Sequence, residues 1–237
     1  RFLYHCDRKG YIVWGEFPDW GLDPSNRDVL YNTLPEWIEE VRRDRNHPAI
    51  VGWCPFNETW DYAGRQRDGS LQELTYEVTK AIDPTRPCLD VSGNYHAGKS
   101  DIYDVHCYDQ DPKSFAARYA TLPQSVDDTC GNHRQKYDGE RPFFVSEYGG
   151  IRWSNDRNGW GYGDAPKTEE EFLERLKGLT DALLDNPYIF GFCYTQLTDV
   201  EQEQNGLYTY DRTPKFPPEQ IAAIFSAPAV IEGKNRD

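Results

Sequence analysis

Methionine is absent from all 237 residues, and no apolar run approaches the length of a membrane span. No signal-peptide pattern opens the chain. The six cysteines (Cys6, Cys54, Cys88, Cys107, Cys130 and Cys193) form no CxxC pair, which argues against a zinc site or a disulfide framework. Cys54, Cys88, Cys107 and Cys193 fall in or beside strand-like runs, where a thiol serves as a small buried hydrophobe. Such usage points to a reducing, cytoplasmic compartment. Positive charge is also scarce. Lys and Arg number 26 against 40 Asp and Glu, a net charge of −14 that disfavours nucleic acid or an anionic membrane as partner. No glycine-rich phosphate fingerprint follows any strand-like run, so a nucleotide cofactor is not expected, nor any other cofactor.

Aromatic residues are plentiful, at 14% of the chain, as suits either a bulky core or a surface on which sugar rings stack. Strand-type and helix-type segments alternate from end to end. The strand candidates are Tyr11–Glu16, Ile50–Cys54, Cys88–Val91, Ile102–His106, Phe143–Ser146 and Ile189–Thr195. Most are short and nearly continuous in apolar residues, as parallel strands covered on both faces should be. Between them, Thr33…Glu36, Ser70…Glu73 and Thr168…Glu171 each match the S/T-x-x-E capping box that opens a helix. One expected helix presents Leu71, Leu74, Val78 and Ile82 on a single face, and another presents Phe172, Leu176, Leu179 and Leu183. A last helix starts near Pro218 and carries Ile221, Ile224 and Phe225. Asn46-His47-Pro48, Asp83-Pro84 and Asn186-Pro187 are helix stops. The long irregular stretches are 122–141 and 151–167, and loops of that length inside a compact domain are usually functional or mobile.

This alternation implies a parallel α/β architecture, either a barrel or a doubly wound sheet. Six strands are two short of an eight-fold barrel. The opening residues RFLYHCDRKG read as a helix closed by Gly10, so the missing pair is expected upstream of Arg1, in a longer polypeptide.

Two strand-like segments end on glutamates with polar or aromatic companions: AIVGWCPFNE closes on Asn57-Glu58, and RPFFVSEYGG carries Glu147. A retaining glycosidase needs such a pair on opposite sides of the scissile bond, about 5 Å apart. One carboxylate attacks the anomeric carbon, while the other donates a proton and then acts as base. Glu16 is a third strand-end carboxylate.

WIEEVRRDRNHPAIVGWCPFNE, followed some ninety residues on by RPFFVSEYG, resembles glycoside hydrolase family 2, which includes β-galactosidases, β-glucuronidases and β-mannosidases. CDRKGYIVWGEFP is similar to the family's third barrel strand. The resemblance runs over nearly the whole chain. It implies a (β/α)8 TIM barrel of which residues 1–237 cover strands 3 to 8 and their helices, the last three quarters of the catalytic domain. Sugar-binding-like and immunoglobulin-like domains would precede it, and the full-length protein would be a homo-oligomer. In the family's pattern Glu58 is the acid/base, Asn57 contacts the sugar 2-hydroxyl and Glu147 is the nucleophile. Tyr108 matches the tyrosine that touches the nucleophile. Tyr194 stands where many relatives carry a tryptophan platform, a departure that leaves Gln196 to share the role.

Other positions keep two readings. His106, two residues before Tyr108 on the same side of its strand, is a pocket residue or a core histidine. Trp153 walls the pocket or anchors its loop. Asp19 binds a hydroxyl or shapes a turn, with Trp20 as a subsite wall. His47 reads as a helix terminus, and Asp199, Glu201 and Glu203 as a solvated acidic loop rather than a metal site. For substrate, the family's frequency makes a terminal β-galactoside the default, with arabinofuranoside and galactofuranoside also compatible. The stretch EQNGLYTYDR lacks the Asn-x-Lys element that pairs a uronate in the family's glucuronidases, which speaks against a β-glucuronide. A truncated, inactive binding barrel is the non-enzymatic alternative.

Overall fold

A computed structural model describes residues 1–19, 22–23, 26, 28–59, 69–93, 95–126 and 135–233. Trp20 and Cys130, both singled out above, lie outside them. The chain divides into two compact units: Arg1–Asp104 with Gly131–Tyr137, and Val105–Cys130 with Asp138–Asp237.

The first unit opens with α1 (Phe2–Lys9), which Gly10 ends in the left-handed conformation at φ 70°. This is the residue and geometry favoured just past a helix end. There follow β1 (Val13–Glu16), α2 (Val29–Asp44), β2 (Ile50–Cys54) and α3 (Ser70–Ile82). β1 and β2 pair in parallel, Val13 opposite Ile50 and Glu16 opposite Cys54. Trp37 on α2 is the hub of the core. Its ring meets Trp53 edge-on at 5.8 Å, and its indole N–H donates to Thr79 Oγ1 at 2.7 Å. Val41, Ile50 and Cys88 complete the buried cluster. Each fully buried apolar side chain of this size contributes about 1.5–3 kcal/mol.

The second unit contains the end of β3 (Tyr103–Cys107), then α4 (Pro112–Arg118), β4 (Phe143–Gly149), α5 (Glu169–Leu184), β5 (Ile189–Thr195), α6 (Pro218–Phe225) and α7 (Val230–Gly233). The strands form one sheet in the order β3-β4-β5, with β4 and β5 parallel. α5 buries Phe172, Leu176, Leu179 and Leu183, the face read from its periodicity.

Several expectations need correction. Among the described residues the strands form a two-stranded and a three-stranded sheet, not one closed barrel. Cys88–Val91 is not a regular strand. Along one edge it meets β2 and its continuation, through Trp53 N–H to Pro87 O, Leu89 N–H to Trp53 O and isolated bridges at Cys88 and Ser92. On the other edge side chains take its amides: Cys88 N–H donates to Asp101 and Asp90 N–H to Ser100. A ladder needs repeated backbone bonds, and the one on this edge among the described residues is Asp101 N–H to Cys88 O at 3.0 Å.

Of the three capping boxes only Thr168 acts as one, accepting from Glu171 N–H, while Glu171 reaches back to Lys167 N–H. Thr33 lies a turn inside α2 and bonds back to Val29 O, and Gly69 rather than Ser70 is the N-cap of α3. The buried face of α3 is also rotated from the apolar stripe. Leu74 is 43% exposed, while Gln72, Thr75 and Thr79 are buried. Thr75 and Thr79 tolerate burial because each hydroxyl donates to the carbonyl one turn back. Cys6, Cys54, Cys88 and Cys107 are buried free thiols, but Cys193 is exposed on β5. α4 was missed despite a clear signal. Asp111 caps Lys113 and Ser114 N–H, and Pro112 occupies the first turn.

Candidate active site

In the second unit β4 carries Glu147 within its length, two residues before its end at Gly149. The Tyr108 hydroxyl, one residue past β3, donates a hydrogen bond to Glu147 Oε2. His106 on β3 is buried and places Nδ1 3.4 Å from the same oxygen. Burial, the adjacent Glu147 charge and the hydrogen bond to it all raise the Tyr108 pKa, so the phenol keeps its proton. A phenol donating to a carboxylate stabilises the ionised form, the state a nucleophile needs. His106 is thus a buried histidine that lies beside the Glu147 carboxylate.

In the first unit Glu58 lies beyond the end of β2, in a conformation uncommon for any residue but glycine, at φ 45°. Its N–H donates to Ser92 O at 2.8 Å, and Ser92 N–H donates to Phe56 O at 2.8 Å. Ser92 is held in turn by Asp104, whose Oδ2 accepts from the Ser92 hydroxyl and from Gly93 N–H. Behind these lies His96, fully buried between Asp90 Oδ1 at 3.0 Å and Asp104 Oδ1 at 3.2 Å. Burial pushes its pKa down. The charge of Asp90 and the hydrogen bonds to Asp104 and Asp90 override that and lift it to about 10. His96 is therefore an imidazolium held between two carboxylates at neutral pH.

Asn57 N–H donates to Asp19 Oδ1 at 3.0 Å, so buried Asp19 holds the backbone of the neighbouring site residue. Asn57 Oδ1 is buried with no hydrogen-bond partner among the described residues. Glu16 is exposed at the end of β1.

The remaining candidates are built into the frame. Tyr194 on β5 donates to Asn205 O at 3.4 Å and meets Tyr148 edge-on at 5.7 Å. Burial raises its pKa. Trp153 packs against Phe172 and Phe216 at 5.7 and 5.4 Å, and its carbonyl accepts from Lys215. Gln196 donates to Asn205 Oδ1. His47 Nδ1 lies 2.6 Å from Asp7 Oδ2, a structural pair at a helix end. In the acidic loop Asp199 pairs with Lys215 at 2.6 Å, and Glu203 accepts from Asn205.

Three residues near these carboxylates were not anticipated: Ser92, Gln110 and Tyr162. The Tyr162 ring lies face to face on Tyr108, with centroids 3.6 Å apart and planes within 2°. The aromatic-glycine alternation at Trp160-Gly161-Tyr162-Gly163 was the available hint.

Residues 5–222 match the family model described as "Glycosyl hydrolases family 2, TIM barrel domain". The chain belongs to glycosyl hydrolase family 2. Its relatives include β-glucuronidases from Pongo abelii and Homo sapiens, each 30% identical. The first alignment covers 90% of this chain, the second 89%, and each covers 34% of the relative. This family 2 domain thus spans about a third of the length of the curated relatives it matches. Among solved structures, Bacteroides uniformis β-glucuronidase 2 is similar with TM-score 0.70 and 22% identity, over 90% of this chain and 28% of that one. A β-galacturonidase from Eisenbergiella tayi, bound to galacturonate, has TM-score 0.69 and 20% identity, over 96% and 43%. At that identity the structural likeness carries the fold, that of TIM-barrel glycosidases.

Proposed function

We propose that this family 2 domain is the catalytic part of a retaining exo-β-glycosidase. Glu147 is the nucleophile that forms a glycosyl-enzyme intermediate, and Glu58 is the proton donor that then serves as base toward water. The observation that carries this reading is the Glu147 carboxylate, which receives the Tyr108 phenol beside the His106 imidazole. Asn57, with its unpartnered amide oxygen, would take a hydroxyl of the bound sugar.

For substrate, the relatives' names favour a terminal β-glucuronide over the β-galactoside default. The β-galactoside reading keeps one observation in its favour. No lysine stands in EQNGLYTYDR, and nearby Lys215 is already engaged by Asp199 and the Trp153 carbonyl. A panel of 4-nitrophenyl β-glycosides (glucuronide, galactoside, galacturonide, galactofuranoside and arabinofuranoside) assayed with the full-length protein decides between them. Glu147→Gln and Glu58→Gln belong in the same assay. Wild-type turnover in either variant would refute the assigned roles. Hydrolysis of the galactoside with none of the glucuronide would refute the substrate.

A further inference from the structure

Residues 151–167 form a folded strap rather than a slack loop. Tyr162 N–H donates to Gly150 O at 2.9 Å, Trp160 N–H to Gln202 O at 2.7 Å and Gln204 N–H to Trp160 O at 2.8 Å. These bonds anchor Tyr162 at the end of β4, just past Glu147. Gly150, at φ 58°, leaves room for its ring: a Cβ there would lie 2.4 Å from Tyr162 Cδ2 and 3.0 Å from Tyr108 Cδ1. The strap is fastened again one residue on, where Gly163 lies against Gln110. The Gln110 side-chain amide donates to Tyr108 O at 3.1 Å and to Gly149 O at 2.5 Å. Arg175 on α5 holds the far side, donating to Asp164 O at 2.7 Å and to Gln110 Oε1 at 3.4 Å.

We infer that Tyr162 is a positioning residue for the nucleophile, its ring clamping Tyr108 flat so that the phenol stays on Glu147. The inference rests on the nucleophile role proposed for Glu147. A tyrosine hydroxyl lies at the far end of its side chain, so a small swing about χ1 carries it off a fixed acceptor. Full overlap with a second ring, itself pinned by backbone bonds on both sides, removes that freedom. Tyr162 does not need to touch substrate to affect the reaction. It acts on how firmly the phenol donates, and hence on how readily Glu147 stays ionised.

The test uses the full-length protein and the aryl glycoside hydrolysed fastest by the wild type, with kcat, KM and the pH dependence of kcat/KM measured for each variant. Tyr162→Phe keeps the stack and should lose less kcat than Tyr162→Leu. Tyr162→Leu should lower kcat by about tenfold, the order expected when one hydrogen bond to a charged group is weakened. KM should move less, and the acid limb of kcat/KM should shift to higher pH as the carboxylate loses its donor. If Tyr162→Leu does not fold, Tyr162→His, with a smaller ring and less overlap, takes its place with the same expected shift. A wild-type kcat and pH profile in the folded variant, with Glu147→Gln inactive, overturns the clamp and leaves the nucleophile in place. Wild-type turnover in Glu147→Gln overturns the nucleophile reading and the clamp with it.

Discussion

The two carboxylates proposed for catalysis differ in the support that the described bonds give them. Glu147 is contacted through its own oxygen, by a phenol and an imidazole, and aromatic stacking stands behind the phenol. Glu58 is located through its backbone, by Ser92 O, and a buried imidazolium between two aspartates stands behind Ser92. The proposed chemistry explains the contrast. A nucleophile is required as an anion, so a fixed donor on its carboxylate helps throughout the cycle. An acid/base must lose and regain its proton, and the Ser92 bond fixes the main chain that carries it.

The largest effects should separate the two roles. Glu147→Gln is expected to lower kcat by on the order of 10⁴-fold whatever the leaving group, since no nucleophile remains. Glu58→Gln should lose on the order of 10²–10⁴-fold toward a poor leaving group such as a sugar alcohol, and much less toward 2,4-dinitrophenolate, which departs without a proton. Equal losses across leaving groups for both variants would remove the distinction.

The next effect concerns stability. His96→Gln leaves Asp90 and Asp104 buried without their cation and should cost about 3 kcal/mol in urea unfolding. The His96 pKa is raised on folding, so its stabilisation is fully present below about pH 6.5 and is lost as pH rises through about 10. Wild-type stability should therefore fall over that interval, and His96→Gln should flatten the fall. An unchanged slope in the variant would show that another group carries it.

The smallest comparison is between two identical motifs. Thr168→Ala should cost about 1 kcal/mol, because its hydroxyl caps α5. Thr33→Ala should cost less, about 0.5 kcal/mol, because the Thr33 hydroxyl bonds back to Val29 O inside α2 and caps no helix end. Equal melting shifts for the two would break the distinction.

Much of the fold was readable where one local cause decides the outcome. Gly10 ends α1 because a left-handed residue is needed there, and the α5 stripe is buried because all four of its positions are large and apolar. Local patterns failed where a distant partner had the casting vote. The buried face of α3 turned toward Thr79 because the Trp37 indole, 42 residues away, needs an acceptor. Segment 88–91 lost its second ladder to the side chains of Ser100 and Asp101. The site divides in the same way. Glu58, Glu147, Tyr108 and Asn57 stand in motifs with distinctive neighbours, whereas the Asp19 bond to Asn57, the Ser92 bonds and the Tyr162 stack are long-range contacts that no local pattern specifies.

By itself the sequence determined the alternation of strands and helices, the two strand-associated glutamates and the family to which the chain belongs, because these follow from periodicity and from motifs contiguous in the chain. Only the tertiary structure decided that His106 joins Tyr108 at Glu147, that a buried imidazolium underlies the Glu58 backbone, and that Tyr162 stacks on Tyr108. Those contacts join residues 34 to 54 positions apart or lie in a buried charge cluster, where burial and packing geometry set the outcome rather than local preference.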